Sequence, residues 1–245
     1  MSFETERYPK LDLDRFFFDI PAECPYQLPC MAHYRQACLG PLPDDLMEYF
    51  LATGFRRNGN IIYTMVCRQC KACIPIRLLT SSFKANRNQQ RVWRKNFDLA
   101  VNIGNLHVTD EKVAICNRFF EARYPGRGNS PHEYYSGFFM NTVTNTFEFR
   151  YSVNDRLIGV SIVDICGNSM NAVYFYFDPD ENHRSPGTYN ILFLTDFCRN
   201  HNIKYLYLGY WVEAVKAMQY KANFKPHYLL LDGTWQRVAK NKGKN

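Results

Sequence analysis

Three apolar runs joined by two-residue turns constrain the fold of this chain more than any other feature. TFEFRYSV (146–153), LIGVSIVDI (157–165) and NAVYFYF (171–177) are rich in β-branched and aromatic residues. Asn154-Asp155 and Gly167-Asn168 between them are pairs that close tight hairpins, so an antiparallel meander is predicted. Upstream, Thr109 caps a helix running through Arg123. Ser130-Pro131-His132-Glu133 matches a capping box with Pro at the first helical position, where a second helix starts. Downstream come a helix over 189–200, the strand YLYLGYW (205–211), a helix around 213–222 and the strand HYLLL (227–231). From residue 105 the order is therefore α-α-β-β-β-α-β-α-β.

That succession is the one found in the acyl-CoA N-acyltransferase (GNAT) fold, a mixed sheet splayed open in its middle with helices on both faces. The expected class is α+β, with a GNAT-like domain over 103–245 preceded by a smaller basic α/β domain over 1–102. In that first part, PLPDDLMEYFLATG (41–54) reads as a helix with Asp44 or Asp45 near its cap and Gly54 stopping it. NIIYTMV (60–66) and IPIRLLT (74–80) read as strands flanking a cysteine knuckle. NRNQQRVWRKNF (86–97) reads as a helix with Arg87, Arg91, Arg94 and Lys95 on one side.

Charge placement narrows the partner. No acidic residue occurs between Glu48 and Asp98, whereas ten cations fall there, from Arg56 to Lys95. The chain's net charge is +7, so the remainder is slightly acidic. An ordinary surface mixes signs, and the block points to an anion-binding surface with nucleic acid as leading partner. Arg56, Arg57, Arg87, Arg91, Arg94 and Lys95 offer phosphate contacts, and Trp93 a ring for stacking. MSFETERYPK lacks the apolar stretch of a signal peptide, and no apolar run reaches the roughly 18 residues of a membrane span. A cytoplasmic protein with reduced thiols is expected, its nine cysteines being an odd number.

VYFYFDPDENHRSPGTYNIL (173–192) passes from strand through an acidic turn into a helix. Arg184, Gly187 and Thr188 supply the first half of a loop of the form Arg-x-x-Gly-x-Gly, whose N–H groups and helix dipole would face a phosphate. Tyr189 stands where a small residue belongs, which disfavours acetyl-CoA as donor. The plainer reading is a strand-to-helix connection in which Gly187 permits the turn.

With these stretches in view, the chain resembles the aminoacyl-tRNA–protein transferases, in particular the bacterial aspartate/glutamate leucyltransferases, relatives of eukaryotic arginyltransferases. The resemblance rests on Cys24-Pro25-Tyr26, GFRR (54–57), CRQCKACIPIRL (67–78), NFDL (96–99), FYFDPD (175–180), RSPGTY (184–189), YLYLGYWV (205–212) and YKANFKP (220–226). It implies transfer of leucine from leucyl-tRNA to the α-amine of proteins beginning with Asp or Glu, marking them for degradation. The partners implied are an aminoacyl-tRNA and proteins with an acidic first residue, without membrane or DNA. Pro186 departs from the Ser-Leu-Gly-Thr-Tyr usual in the family, and Cys30 and Cys38 fall where bacterial members usually lack cysteine. Arginine transfer on the same scaffold, CoA-dependent N-acetylation and non-catalytic RNA binding are the alternatives.

The chemistry makes modest demands. An amine attacks an ester to give a more stable amide, and a protein α-amine with pKa near ~8 is partly neutral already. Asp178 is the candidate base, and Tyr176 the donor to the ester or 2′-hydroxyl. The acidic side chain needs a fixed cation, which Arg77 and Lys221 are expected to supply. No cofactor is required. Cys67, Cys70 and Cys73 form C-x-x-C-x-x-C and, with Cys24, would suit zinc or an iron–sulfur cluster. A reduced thiol cluster that positions Arg77 is the preferred reading.

Overall fold

The structure, a computed structural model, describes residues 13–239. The start MSFETERYPK and the tail KNKGKN lie outside the described residues. The chain opens with β1 (Phe18–Ala22), β2 (Ala32–Cys38), α1 (Asp44–Ala52), β3 (Arg56–Asn58) and β4 (Ile61–Met65). These four strands form an antiparallel sheet in the order β1-β2-β4-β3. Next come β5 (Ile74–Leu79), α2 (Arg87–Lys95), β6 (Ala100–Asn105), α3 (Asp110–Arg123) and α4 (Pro131–Glu133), continued as a π turn over Tyr134–Phe139. The meander is β7 (Thr146–Val153), β8 (Arg156–Cys166) and β9 (Ser169–Phe177). Then follow α5 (Pro186–Asn200), β10 (Tyr205–Trp211), α6 (Lys216–Gln219), β11 (His227–Leu231) and β12 (Thr234–Val238).

The second sheet has the order β12-β11-β5-β10-β9-β8-β7-β6. Its β7–β8 hairpin closes at Asn154 and Asp155, whose φ of +47° and +62° fit the type I′ turn that the pair predicts. β9 and β10 run parallel and pair only where Ser169–Asn171 meets Tyr205–Tyr207, then separate. β5 lies antiparallel to both β10 and β11. The boundary expected at residue 102 thus falls inside β6, and strands from both sides of it share one sheet.

Helices cover both faces. On one, α5 packs Ile191, Leu192 and Leu194 over Ile76, Leu78, Leu206 and Leu208. On the other, α3 and the π turn bury Ile115, Phe120 and Phe139 against Val160, Ile162 and Tyr176, and α1 sets Met47 and Leu51 on Ile62 and Tyr207. Leu206 and Leu208 face α5 and Tyr207 faces α1, as strand alternation requires. β8 is buried along nearly its whole length, as a strand covered on both sides must be.

Two caps match expectation, Thr109 at α3 and Ser130, which accepts from the Glu133 N–H, at α4; Asn86 and Gln89 add a reciprocal pair at the start of α2. Three helices differ. α5 begins at Pro186, because Ser185 turns the chain at φ +56° and proline fits the first helical position. The helix expected over 213–222 is the four-residue α6 followed by a 3₁₀ turn, Tyr220–Asn223. Pro43, without a side-chain bond, occupies the cap of α1, and Asp44 and Asp45 stand in its first turn. Among the described residues no helix is long and apolar enough to cross a membrane.

Candidate functional site

β10 bulges between Tyr207 and Tyr210, and Gly209 within the bulge holds φ +76°. That φ is what favours glycine here; Lys221 Nζ lies 3.6 Å from where a Cβ would stand, an ordinary contact distance, and donates to the Tyr210 carbonyl at 2.8 Å. The Gly209 carbonyl accepts from Arg56 at 3.3 Å. Arg56, only 4% exposed, lies 5.4 and 5.6 Å from the Tyr207 and Tyr210 rings and donates to the Phe55 carbonyl at 2.5 Å. Arg77 on β5 lies between the rings of Tyr205 and Trp235, at 4.0 and 4.1 Å, and donates to Tyr207 Oη at 2.9 Å. The Nε atoms of both arginines are buried without a partner.

The surroundings are phenolic. The Tyr34 and Tyr63 rings lie tilted 5.7 Å apart and those of Tyr63 and Tyr210 tilted 6.3 Å apart, and Tyr26 adjoins Tyr34 and Tyr210. Among the described residues no carboxylate pairs with Arg56, Arg77 or Lys221. Burial, reinforced by Arg56, lowers the Lys221 pKa to about 7. The arrangement combines cations and phenols without an internal counter-ion among the described residues, which is the chemistry of an anion receptor.

The knuckle lies beside it. Cys24, Cys30, Cys67, Cys70 and Cys73 are close enough to act on one another, and the His33 N–H donates to Cys67 Sγ at 3.4 Å. Burial, followed by Cys67, Cys24, Cys70 and Cys30, pushes the Cys73 thiol up to about 12. Cys73 is thus held as the protonated thiol. Among the described residues no group of three or more His, Cys, Asp or Glu is arranged to hold a metal ion.

The turn at 178–188 is tied down by a network of ion pairs. Asp178 is buried, with Oδ1 2.8 Å from Arg118 and Oδ2 2.9 Å from Arg156, and it also accepts from the Asp180 N–H. With both oxygens held, it anchors the turn. Tyr176 is fully buried, hydrogen-bonds Tyr135 and packs in the α3 core. Arg184 is spent on Asp98, at 2.8 and 2.9 Å, and on Glu181 at 2.7 Å. The Thr188 N–H turns back to the Ser185 carbonyl, while Gly187 opens onto free space.

The phosphate-contact set divides likewise. Arg87, Arg91, Arg94 and Lys95 are exposed on α2. Arg57 is not: its side chain and that of Asp164 are both 0% exposed and joined at 2.7 Å. Arg56 belongs to the receptor instead. Trp93 packs on Tyr189 and Phe193. A cleft of about 580 Å³ opens between α2, Thr188 and the 220–225 segment, lined by Asn86, Gln89, Thr188, Tyr220 and Lys225.

Two family models match the chain, "Arginine-tRNA-protein transferase, N terminus" over residues 22–91 and "Arginine-tRNA-protein transferase, C terminus" over 111–231. A protein of Methylobacillus flagellatus named aspartate/glutamate leucyltransferase is 38% identical over 187 residues, 76% of this chain and 75% of its own. The chain belongs to the aminoacyl-tRNA–protein transferase family. The same name is carried by a relative in Saccharophagus degradans, 39% identical over 74% of this chain and 78% of its own. One in Gluconacetobacter diazotrophicus, 33% identical, spans 99% of this chain and 93% of its own. In this aminoacyl-tRNA–protein transferase, the N-terminal match contributes Tyr26, Arg56 and Arg77 to the receptor, and the C-terminal match contributes Tyr210 and Lys221. The sequence reading missed Arg56 as a receptor group and the tyrosines around it. A glycine inside the strand YLYLGYW was the available signal, since it marks a bulge or a close approach.

Proposed function

We propose that the protein transfers leucine from leucyl-tRNA to the α-amine of proteins beginning with Asp or Glu, in the cytoplasm, marking them for degradation. One observation carries the reading: Arg56, Arg77 and Lys221 stand together among tyrosines, with no carboxylate paired to any of them among the described residues. Uncompensated cations in a low-dielectric setting favour an anion, and the side chain of an acidic first residue supplies one. With that side chain held, the adjacent α-amine attacks the ester carbonyl. A C–N bond forms, the ester C–O bond breaks, and the proton that the amine nitrogen loses goes to the departing ribose oxygen, which leaves as a hydroxyl. Holding amine and ester together supplies most of the acceleration.

The larger sheet is read as GNAT-like because β9 and β10 part after three paired positions, leaving a wedge for an acyl donor. Exposed Arg87, Arg91, Arg94 and Lys95 would hold tRNA phosphates, and the 187–188 backbone its acylated end. Tyr189 packs beside Trp93 and Tyr151, filling the place a CoA loop needs, which weighs against acetyl-CoA. Labelled leucyl-tRNA and arginyl-tRNA, incubated with peptides differing only in residue 1, test donor and acceptor together. Label moves from leucyl-tRNA to the Asp and Glu peptides alone. Label that stays on tRNA with every acidic-start peptide overturns the reading.

A further inference from the structure

Phe97 is 88% exposed, the most exposed large apolar side chain among the described residues. A lone surface hydrophobe needs no explanation. Phe97 differs because both its neighbours are fastened down. Asn96 is buried, and its Nδ2 donates to the Val92 carbonyl at 2.8 Å and to the Arg184 carbonyl at 3.0 Å. Asp98 receives both terminal nitrogens of Arg184, at 2.8 and 2.9 Å. The Leu99 N–H returns to the Asn96 carbonyl at 3.2 Å, and Leu99 packs on the α5 core. The backbone around Phe97 is thus fixed on both sides, and its ring is held out to solvent by a rigid frame.

The setting is cationic. Exposed Arg91, Arg94 and Lys95 precede Phe97 on the last turns of α2, and Lys95 Nζ reaches the His183 carbonyl at 2.6 Å. Arg184 neutralises Asp98, whose carboxyl it holds below the usual range. A rigid aromatic ring among lysines and arginines is the chemistry that binds unpaired nucleotides: cations track the phosphates while the ring stacks on a base. Trp93, 38% exposed, is partly covered by Tyr189 and Phe193 and offers less free ring than Phe97.

We propose that Phe97 is a stacking platform for a nucleobase in the unpaired 3′ end of the aminoacyl-tRNA. The assignment to the 3′ end rests on the transfer reading above, and on the turn to which Phe97 is clamped. That turn runs from Arg184 straight into Thr188, which lines the 580 Å³ cleft beside Tyr220.

The test is equilibrium binding of 5′-labelled, uncharged leucine tRNA across a salt series. Phe97→Ala weakens binding roughly 5- to 150-fold, the range for losing one stacked base. Phe97→Trp binds like the native chain, and Phe97→Leu falls with the alanine variant because it is apolar without a π face. The slope of log affinity against log salt is unchanged by these substitutions, since no cation is lost. Arg94→Ala lowers it by about 0.7 to 0.9 per phosphate contact. Trimming the unpaired 3′ nucleotides abolishes the difference between native chain and Phe97→Ala. Native affinity in Phe97→Ala or Phe97→Leu, or a difference that survives trimming, overturns the inference and leaves the transfer reading standing. A native chain that binds no tRNA at any salt removes both.

Discussion

Lys221 Nζ donates to the Tyr210 carbonyl at 2.8 Å, next to Gly209 and beside the Arg56 guanidinium. Its pKa of about 7 has consequences of definite sign. Unfolded, the amine keeps its proton up to about 10.4, whereas the native chain releases it above about 7. The unfolded state binds more protons across that window, so this group makes stability rise with pH between the two values and weighs against the fold fully below 7. Urea unfolding between pH 6 and pH 10 should show the rise, and Lys221→Met should flatten it. An acidic first residue draws the proton back, so KM for an Asp-start peptide should climb above pH 7 in the native chain and less so in Lys221→Arg. Identical climbs would take Lys221 out of the receptor.

Arg77 is held as a flat guanidinium between two rings, a shape that lysine cannot copy. Arg77→Lys should cost about 1–2 kcal/mol in denaturant unfolding, from the lost stacking. Arg77→Ala should weaken the use of acidic peptides far more than tRNA binding. Equal loss of both would place Arg77 at the RNA.

Arg57 and Asp164 form a buried pair, supported by Thr146 and Asn171. Removing one partner strands the other's charge, so Arg57→Met should destabilise the protein by about 3–5 kcal/mol. The fraction that remains folded should bind tRNA with native affinity and an unchanged salt slope. A stable variant with a shallower slope would return Arg57 to the RNA surface.

Asp178 is spoken for by Arg118 and Arg156. Asp178→Asn should lower stability and leave the shape of the pH–rate profile alone, with kcat reduced less than the ~100-fold that marks the loss of a general base. A larger loss in a protein of native stability would restore the catalytic role.

Much of the sheet was legible because its turns are local: Asn154-Asp155 can close a β7–β8 hairpin in essentially one way, and the observed φ values agree. The basic face of α2 was legible because helical spacing needs nothing beyond the helix. Arg56 and Arg57 were not separable by eye, being two adjacent arginines in one basic block. On β3 they point to opposite faces, one to the phenolic receptor and the other to Asp164, which is 107 residues away in sequence. The same distance problem hid the role of Asp178, whose partner Arg118 is 60 residues upstream. The knuckle's neighbourhood was partly legible, since Cys24 was placed with Cys67, Cys70 and Cys73. That Cys30 joins them depends on how the loop before β2 returns to it.

The position of β5 between β10 and β11 matters for how the chain is made. Arg77 meets Tyr207 across a separation of 130 residues, so a largely apolar strand leaves the ribosome long before either of its flanking partners exists. Until they arrive, IPIRLL is an open edge that invites wrong pairing. A fragment ending anywhere before β10 inherits that edge permanently, so truncated translation products of this chain are the forms most in need of chaperones.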